Sequence, residues 1–249
     1  MVEINVAANI IRLIVGVTIL GYASYTDFKT RRASNYLWIL MGGIGAILLV
    51  AQLISFTPQQ FEIMKLYLIF IPIMIILVYI LFQMRLIFGG ADAKALMALA
   101  ILMPFPTLQW LPESINLTLP LVETKLPYCW GAFINALILF LFIPIGLFIY
   151  NLSQKNIKIP QSFLGYKMDI QQARKKYVWP MEQIDENGEK KSVYMPKEYD
   201  IDEELDRFEE HNIEKIWVTP KIPFMIPLLF GFISVYVTGS FLTYLMNLF

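Results

Sequence analysis

Cysteine and histidine each occur once in 249 residues, as Cys129 and His211. A lone cysteine excludes an internal disulfide and any CxxC zinc knuckle. With one histidine beside it, the nitrogen and sulfur ligand sets for zinc or iron cannot be assembled, so no metal or cofactor is expected. Charge is scarce as well. Asp, Glu, Lys and Arg make up 16% of the chain, against roughly a quarter in soluble domains. The balance is 20 acidic to 20 basic residues, which gives no basic excess for a nucleic-acid partner. The opening M-V-E-I-N lacks the basic n-region and small-residue site of a cleavable signal, so the run after it is expected to be a retained helix.

What remains is apolar: 57% hydrophobic residues, 14% aromatic, and a mean hydropathy of +0.57. A membrane-spanning helix needs about 20 such residues in succession. The runs predict a mainly α, polytopic membrane protein in the lipid bilayer with six transmembrane helices, at about 5–25, 36–56, 64–88, 92–108, 129–150 and within 221–249. The fourth is the shortest. D-A-K-A-L-M-A-L-A-I-L-M covers only about 18 Å, so it must extend into the P-F-P-T-L-Q-W stretch or stop short of the far face. Residues 153–220 are different, with 11 basic and 14 acidic side chains. They predict a small water-exposed α+β insert before the last helix. Asn187-Gly188 between strand-like runs signals a hairpin, and the acidic stretch Asp200–Glu210 reads as a helix. The domains expected are therefore membrane 1–152, soluble 153–220 and a last helix 221–249.

Lysine and arginine in short connections set orientation. Lys29, Arg31 and Arg32 fall in the first loop, Arg85 and Lys94 in the third, and the insert lies on their side. Glu3, Glu62, Lys65, Glu113, Glu123 and Lys125 fall on the other. This bias predicts a cytoplasmic insert and both termini outside. Trp38, Trp110 and Trp130 lie near helix ends, as interfacial aromatics do. Arg12, about 22 Å along its helix from Asp27, is expected to snorkel to the outer surface. Asn116-Leu117-Thr118 is a glycosylation sequon on the outer side, and Asn151-Leu152-Ser153 matches on the inner side, where it has no meaning. Asn35 is placed to cap the second helix.

This topology brings Asp27 and Asp92 to one depth, near the cytoplasmic boundary. Two carboxyls a few Å apart cannot both ionise, so one is held protonated. The ionised member can take a proton from water while the protonated member polarises a peptide carbonyl. Gly89 and Gly90 remove side chains where a substrate backbone would approach and permit φ > 0, and Ala91 keeps the next position small. Other readings stay open from the residues alone. Asp92 is also placed as a helix cap after a Gly-Gly turn, with Asp27 an interfacial charge among Lys29, Arg31 and Arg32. A proton-coupled transporter would use the pair as a relay, although relay acids usually sit near the midplane between repeated halves, and no repeat is visible. A membrane scaffold would use neither.

Y-T-D-F-K-T-R-R-A-S-N at the first helix and F-G-G-A-D-A-K at the fourth resemble the archaeal preflagellin peptidases, within the type IV prepilin peptidase group of GxGD aspartyl proteases. Gly89-Gly90-Ala91-Asp92 fits the archaeal form G-x-(hydrophobic)-D rather than G-x-G-D. W-V-T-P-K-I-P-F-M-I-P-L at 217–228 resembles the stretch that opens the last helix of the group, and the helix order fits as well. The presenilin-like proteases share Y-x-D and G-x-x-D, but they are usually longer. The resemblance implies an aspartic endopeptidase that removes a short basic leader from preflagellins or related prepilin-like proteins at the cytoplasmic face. Asp27 and Asp92 are then the catalytic pair, and Lys29, Arg31, Arg32, Asn35 and Lys94 are supporting or substrate-contacting residues. Relatives that also N-methylate carry cysteine pairs, so this chain is expected to cleave without methylating.

Overall fold

The computed structural model describes residues 2–84, 86–87, 89–105, 126–185, 188–193 and 201–246, the side chains of 2–6, 63 and 243–244 excepted. Glu3 as a side chain, Arg85, Trp110, Glu113, the 116–118 sequon, Glu123, Lys125, Asn187, Asp200 and the expected end of the fourth helix lie outside the described residues. The chain forms two compact units, Met1–Phe140 with Pro223–Phe249, and Leu141–Ile222.

In the first unit, the first apolar run forms α1, Val2–Thr30. It passes the expected limit at residue 25 because Y-T-D-F-K-T contains no breaker. The Thr26 hydroxyl donates to the Ala23 carbonyl at 3.0 Å and the Thr30 hydroxyl to the Thr26 carbonyl at 2.8 Å. Asp27 therefore belongs to the helix rather than to the loop after it. Next is α2, Asn35–Ser55, in which Ser34 holds the cap position without a side-chain bond. Asn35 is the first helical residue, not the cap. Then α3, Pro58–Leu68, and α4, Phe70–Gln83, follow one another through Ile69. Pro72 lacks the N–H that would bond the Leu68 carbonyl, which accounts for the break. The start lies six residues before the expected 64, fixed by a capping box. The Gln60 N–H donates to Thr57 Oγ1 at 3.3 Å, and the Thr57 N–H donates to Gln60 Oε1 at 3.0 Å.

Four stretches among the described residues are long and apolar enough to cross a membrane: Ala7–Thr30, Asn35–Ser55, Pro58–Gln83 and Tyr128–Ser153, the last being α6. The protein is accordingly a mainly helical membrane protein. The two remaining helices of the expected six are short. The first, α5, Gly90–Leu102, has 13 residues, and α10, Met225–Thr238, has 14. At about 20 and 21 Å neither covers a hydrocarbon core of about 30 Å.

The short α5 is the centre of its unit. Ala93, Ala95, Leu96, Ala98, Leu99, Ala100 and Leu102 are buried between α1, α2 and α4. After Lys94 it is apolar all round, as a helix enclosed by protein must be. A Cβ at Gly45 of α2 would lie 2.7 Å from the Leu102 Cα, so glycine lets the two backbones meet. By contrast α2, α3 and α4 turn large side chains outward: Ile39 is 70% exposed, Ile54 80% and Leu66 65%. Such apolar faces match a lipid surroundings rather than water.

The last run, expected to be one helix, is broken. Gly239, at φ 80°, and Ser240 separate α10 from α11, Phe241–Met246. Asn135 of α6 bridges the gap. Its amide donates to the Gly239 carbonyl at 3.0 Å and to Ser234 Oγ at 2.9 Å, and its Oδ1 accepts from the Phe241 N–H at 2.7 Å. Backbone freed from a helix at membrane depth requires such a partner.

Two interfacial expectations are corrected. Arg12 is 1% exposed. It donates to Oδ1 of Asn9 at 3.2 Å and to Oε1 of Gln52 on α2, because α2 and α10 cover this face of α1 and leave no path to the surface. Trp38 is 5% exposed and packs in the core with Met41 and Met74. Trp130, half-buried, meets Phe70 edge-on at 6.1 Å between ring centroids.

The second unit holds the end of α6 and a small α+β body. It comprises α7, Gln161–Leu164; β1, Tyr166–Asp169; α8, Ile170–Ala173; β2, Val178–Pro180; β3, Glu182–Ile184; β4, Lys190–Ser192; α9, Ile201–Glu210; and β5, Lys215–Pro220. β5 lies between β1 and β2, antiparallel to both. The expected hairpin is β3–β4, with Ile184 opposite Lys190 and Gly188 at φ 79° in its turn. One face of α9 buries Leu205 and Phe208 against Met168, Ile170, Val178 and Ile216. Its acidic face surrounds Arg174, which pairs with Asp206 and with Glu209 at 3.3 Å. These hydrogen bonds and charges hold the guanidinium pKa above its ordinary value. Asn151, of the inner sequon, is 1% exposed and bonds the Ser162 carbonyl at 2.9 Å and the Gly165 carbonyl at 2.7 Å.

Candidate active site

Two chain segments far apart in sequence deliver the paired acids. Asp27 lies in the last turn of α1, where α1 is fastened to the start of α10. The Ser24 hydroxyl donates to the Met225 carbonyl at 2.9 Å. Asp92 lies in the first turn of α5. Its carboxyl is close enough to Asp27 for the two charges to act on one another.

The glycines before Asp92 serve a different purpose from the one expected. Gly89 is the cap residue of α5 at φ −88° and ψ 114°, and Gly90 is already helical. Neither has positive φ, so backbone freedom is not what they supply. A Cβ on Gly89 would run into the Asp92 carboxyl, whereas one on Gly90 would meet only the Phe82 ring, at 3.8 Å. Gly89 makes room for Asp92, and Gly90 leaves an open position beside it. Asp92 is not the cap: it stands in the first turn, and the cap position makes no side-chain hydrogen bond. Ala91 is half-buried and packs at the edge of the core.

The five polar residues named for support separate in space. Lys94 Nζ donates to Asn35 Oδ1 at 2.9 Å, which ties the start of α5 to the start of α2. Lys29 is exposed, with its ammonium 5.9 Å from the Tyr25 ring centroid. Arg32 is exposed as well. Arg31 is half-buried, its charge acts on Asp27, and its Cζ lies 5.9 Å from the Phe28 ring centroid. Among the described residues no group of three or more His, Cys, Asp or Glu side chains gathers as a metal site would require.

Sequence reasoning missed Ser24, Gln52 and Asn135. Gln52 and Asn135 are polar residues inside long apolar runs, and that setting is the usable signal; Ser24, beside Thr26 and Asp27, carries no such signal.

The family match gives the class of this membrane protein. Residues 14–152 match the type IV leader peptidase family, and residues 157–241 match the domain described as archaeal peptidase A24 C-terminus, type II. The first match covers more than half the chain, so the protein belongs to the type IV leader peptidase family and is a membrane peptidase. It is 30% identical over 238 residues to the preflagellin peptidase of Methanocaldococcus jannaschii, covering 92% of this chain and 94% of the relative. Similarity to the preflagellin peptidase of Methanococcus voltae is 29% over 231 residues, or 88% of this chain and 91% of the relative. For that of Methanococcus maripaludis it is 28% over 242 residues, or 92% and 96%.

Proposed function

We propose that this protein is an aspartic endopeptidase that removes a short basic leader from preflagellins or related prepilin-like proteins. Asp27 and Asp92 form its catalytic pair, placed near the cytoplasmic face. The observation that carries the reading is the approach of these two carboxyls from separate helices, α1 and α5. The names of the relatives support the substrate class.

Like charges this close favour a pair that shares one proton. The ionised carboxylate removes a proton from water as the water oxygen bonds to the scissile carbonyl carbon. The protonated carboxyl gives its proton to the carbonyl oxygen. In the second step the first carboxyl returns its proton to the amide nitrogen, the other takes one from the tetrahedral centre, and the C–N bond breaks. Both groups end as they began, and no metal or cofactor enters. Gly90 and the small Ala91 leave the approach to Asp92 unobstructed for an extended substrate backbone.

The test is cleavage of a preflagellin with a basic leader by the purified protein in detergent. Asp27→Asn and Asp92→Asn are each expected to lower turnover by at least about 10⁴-fold, the scale on which acid–base groups act, with helical circular dichroism unchanged. Near-wild-type cleavage by either variant would show that the pair is not the catalyst.

A further inference from the structure

We infer that one end of the insert's three-stranded sheet is a docking surface for anionic lipid, where lysines bind headgroup phosphates while Ile157 and Ile159 enter the acyl boundary. This goes beyond the catalytic reading and concerns how the second unit meets the bilayer.

Charge in the insert is segregated. Its 14 acidic residues all lie after residue 168, whereas 153–168 holds Lys155, Lys158 and Lys167 and no acid. The sheet gives that division a place. β1 begins at Tyr166 opposite Val218, and β2 begins at Val178 opposite Pro220, where β5 ends. The starts of β1 and β2 and the end of β5 therefore share one end of the sheet. Both chain connections to apolar helices leave from that end, back to α6 through 154–165 and on toward α10 through 221–224. Lys155 and Lys158 lie on the first connection, Lys175 and Lys176 just before β2, and Lys221 just after β5. The Lys221 N–H donates to the Tyr177 carbonyl at 2.9 Å, and its ammonium lies 4.9 Å from the Trp179 ring centroid. Clustered lysines and aromatic rings beside the end of a membrane helix are the residue types that anionic headgroups attract.

Elsewhere in the insert cations are neutralised by protein. Arg174 pairs with Glu209 at 3.3 Å, Arg207 with Glu203 at 2.9 Å, Lys190 with Glu182 at 3.7 Å and Lys215 with Asp169 at 3.7 Å. Among the described residues, no acid pairs with any of the five lysines at the sheet end. Lys158 Nζ reaches a hydroxyl, Ser192 Oγ, at 3.4 Å. The apolar side chains between them face outward: Ile157 is 55% exposed and Ile159 70%. Ile149 and Leu152, in the last turns of α6 just before, are exposed as well. Local bonds hold this segment against the end of α6. The Asn156 N–H donates to the Asn151 carbonyl at 3.0 Å, the Lys158 N–H donates to Ser162 Oγ at 2.7 Å, and the Asn151 amide donates to the Ser162 and Gly165 carbonyls. Water suits these isoleucines badly, and an apolar protein groove would suit the lysines badly. A headgroup interface, with phosphate above acyl chain, suits both.

The experiment uses the full-length protein in phosphatidylcholine vesicles, with or without phosphatidylglycerol, carrying a nitroxide label on Ile157→Cys. Cys129 is buried and stays unlabelled. Glu210→Cys, at an exposed position on α9, is the reference for water. Oxygen concentrates among acyl chains and a nickel chelate in water, so the ratio of their collision rates with the label reports depth. The label at 157 should favour oxygen and that at 210 the chelate, with phosphatidylglycerol driving 157 deeper. High salt should weaken that lipid effect. Lys155→Gln with Lys158→Gln should raise the phosphatidylglycerol content needed for half the effect by at least about fivefold, the scale of one lysine at an anionic surface. Chelate access at 157 equal to that at 210 overturns the docking surface. Shielding from both oxygen and chelate also overturns it, because protein then covers the patch. A depth indifferent to phosphatidylglycerol and to both lysines overturns the anionic-lipid assignment. No readout depends on cleavage, so each outcome is separate from that of the two-aspartate reading.

Discussion

At the scale of single residues, Gly89 does something that composition does not announce. Gly89 has an ordinary backbone, and its missing side chain is the space that the Asp92 carboxyl occupies. Gly89→Ala should therefore displace that carboxyl and lower leader cleavage by about 100-fold, the scale of a misplacement near 1 Å. Gly90→Ala, facing only Phe82, should leave the melting temperature within about 1 °C of wild type, because a methyl there makes ordinary contact. Turnover and melting curves of the two variants decide this, and a Gly89→Ala protein with wild-type turnover would mean that Asp92 can act from elsewhere. The proposed pair was singled out by charge scarcity, since an acid in so apolar a chain is costly and needs a reason. The reason for Gly89 was not legible, because it depends on where a side chain three residues later folds back.

At the scale of elements, the notable feature is a helix that stops. α10 ends at Gly239 after 14 residues, and one amide side chain, Asn135, satisfies the backbone on both sides of the break. Asn135→Ala should cost about 3 kcal/mol, since it leaves a buried carbonyl and a buried N–H without partners. A denaturation series in mixed micelles would measure this, and a loss below about 0.5 kcal/mol would show that the break needs no such support. The Gly239-Ser240 pair was a visible interruption in the apolar run, and so was the Thr57-Pro-Gln-Gln60 start of α3. Hydropathy alone passes over both, because it averages across the residues that carry the punctuation.

For the whole molecule, four stretches among the described residues are long and apolar enough to cross a membrane, while α5, enclosed in the first unit, is short. Burial rather than span length explains α5: enclosed by α1, α2 and α4, it meets protein on its sides and need not match the bilayer thickness. The proposed orientation, with Asp27, Asp92 and the insert toward the cytoplasm, follows from lysine and arginine placement. It is open to direct measurement because the single native cysteine, Cys129, is buried. Cysteine introduced at Arg32, which is exposed, should react with a membrane-impermeant maleimide only when the inner face is accessible, and one at Glu62 only from the outer face. Reaction at both from one side would reverse or abolish the proposed topology.

What the amino-acid order determined by itself is what repeats along the chain. Apolar runs of bilayer length and a charged α+β stretch with a hairpin turn each depend on neighbours in sequence. What only the tertiary structure decided is what depends on neighbours in space. Arg12 is enclosed by α2 and α10 instead of reaching the surface, Trp38 lies in the core, and Asn35 meets Lys94 in place of capping a helix. The physical reason is common to all three. A side chain's environment is set by whichever helices cover it, and no period in the sequence records which helix that will be.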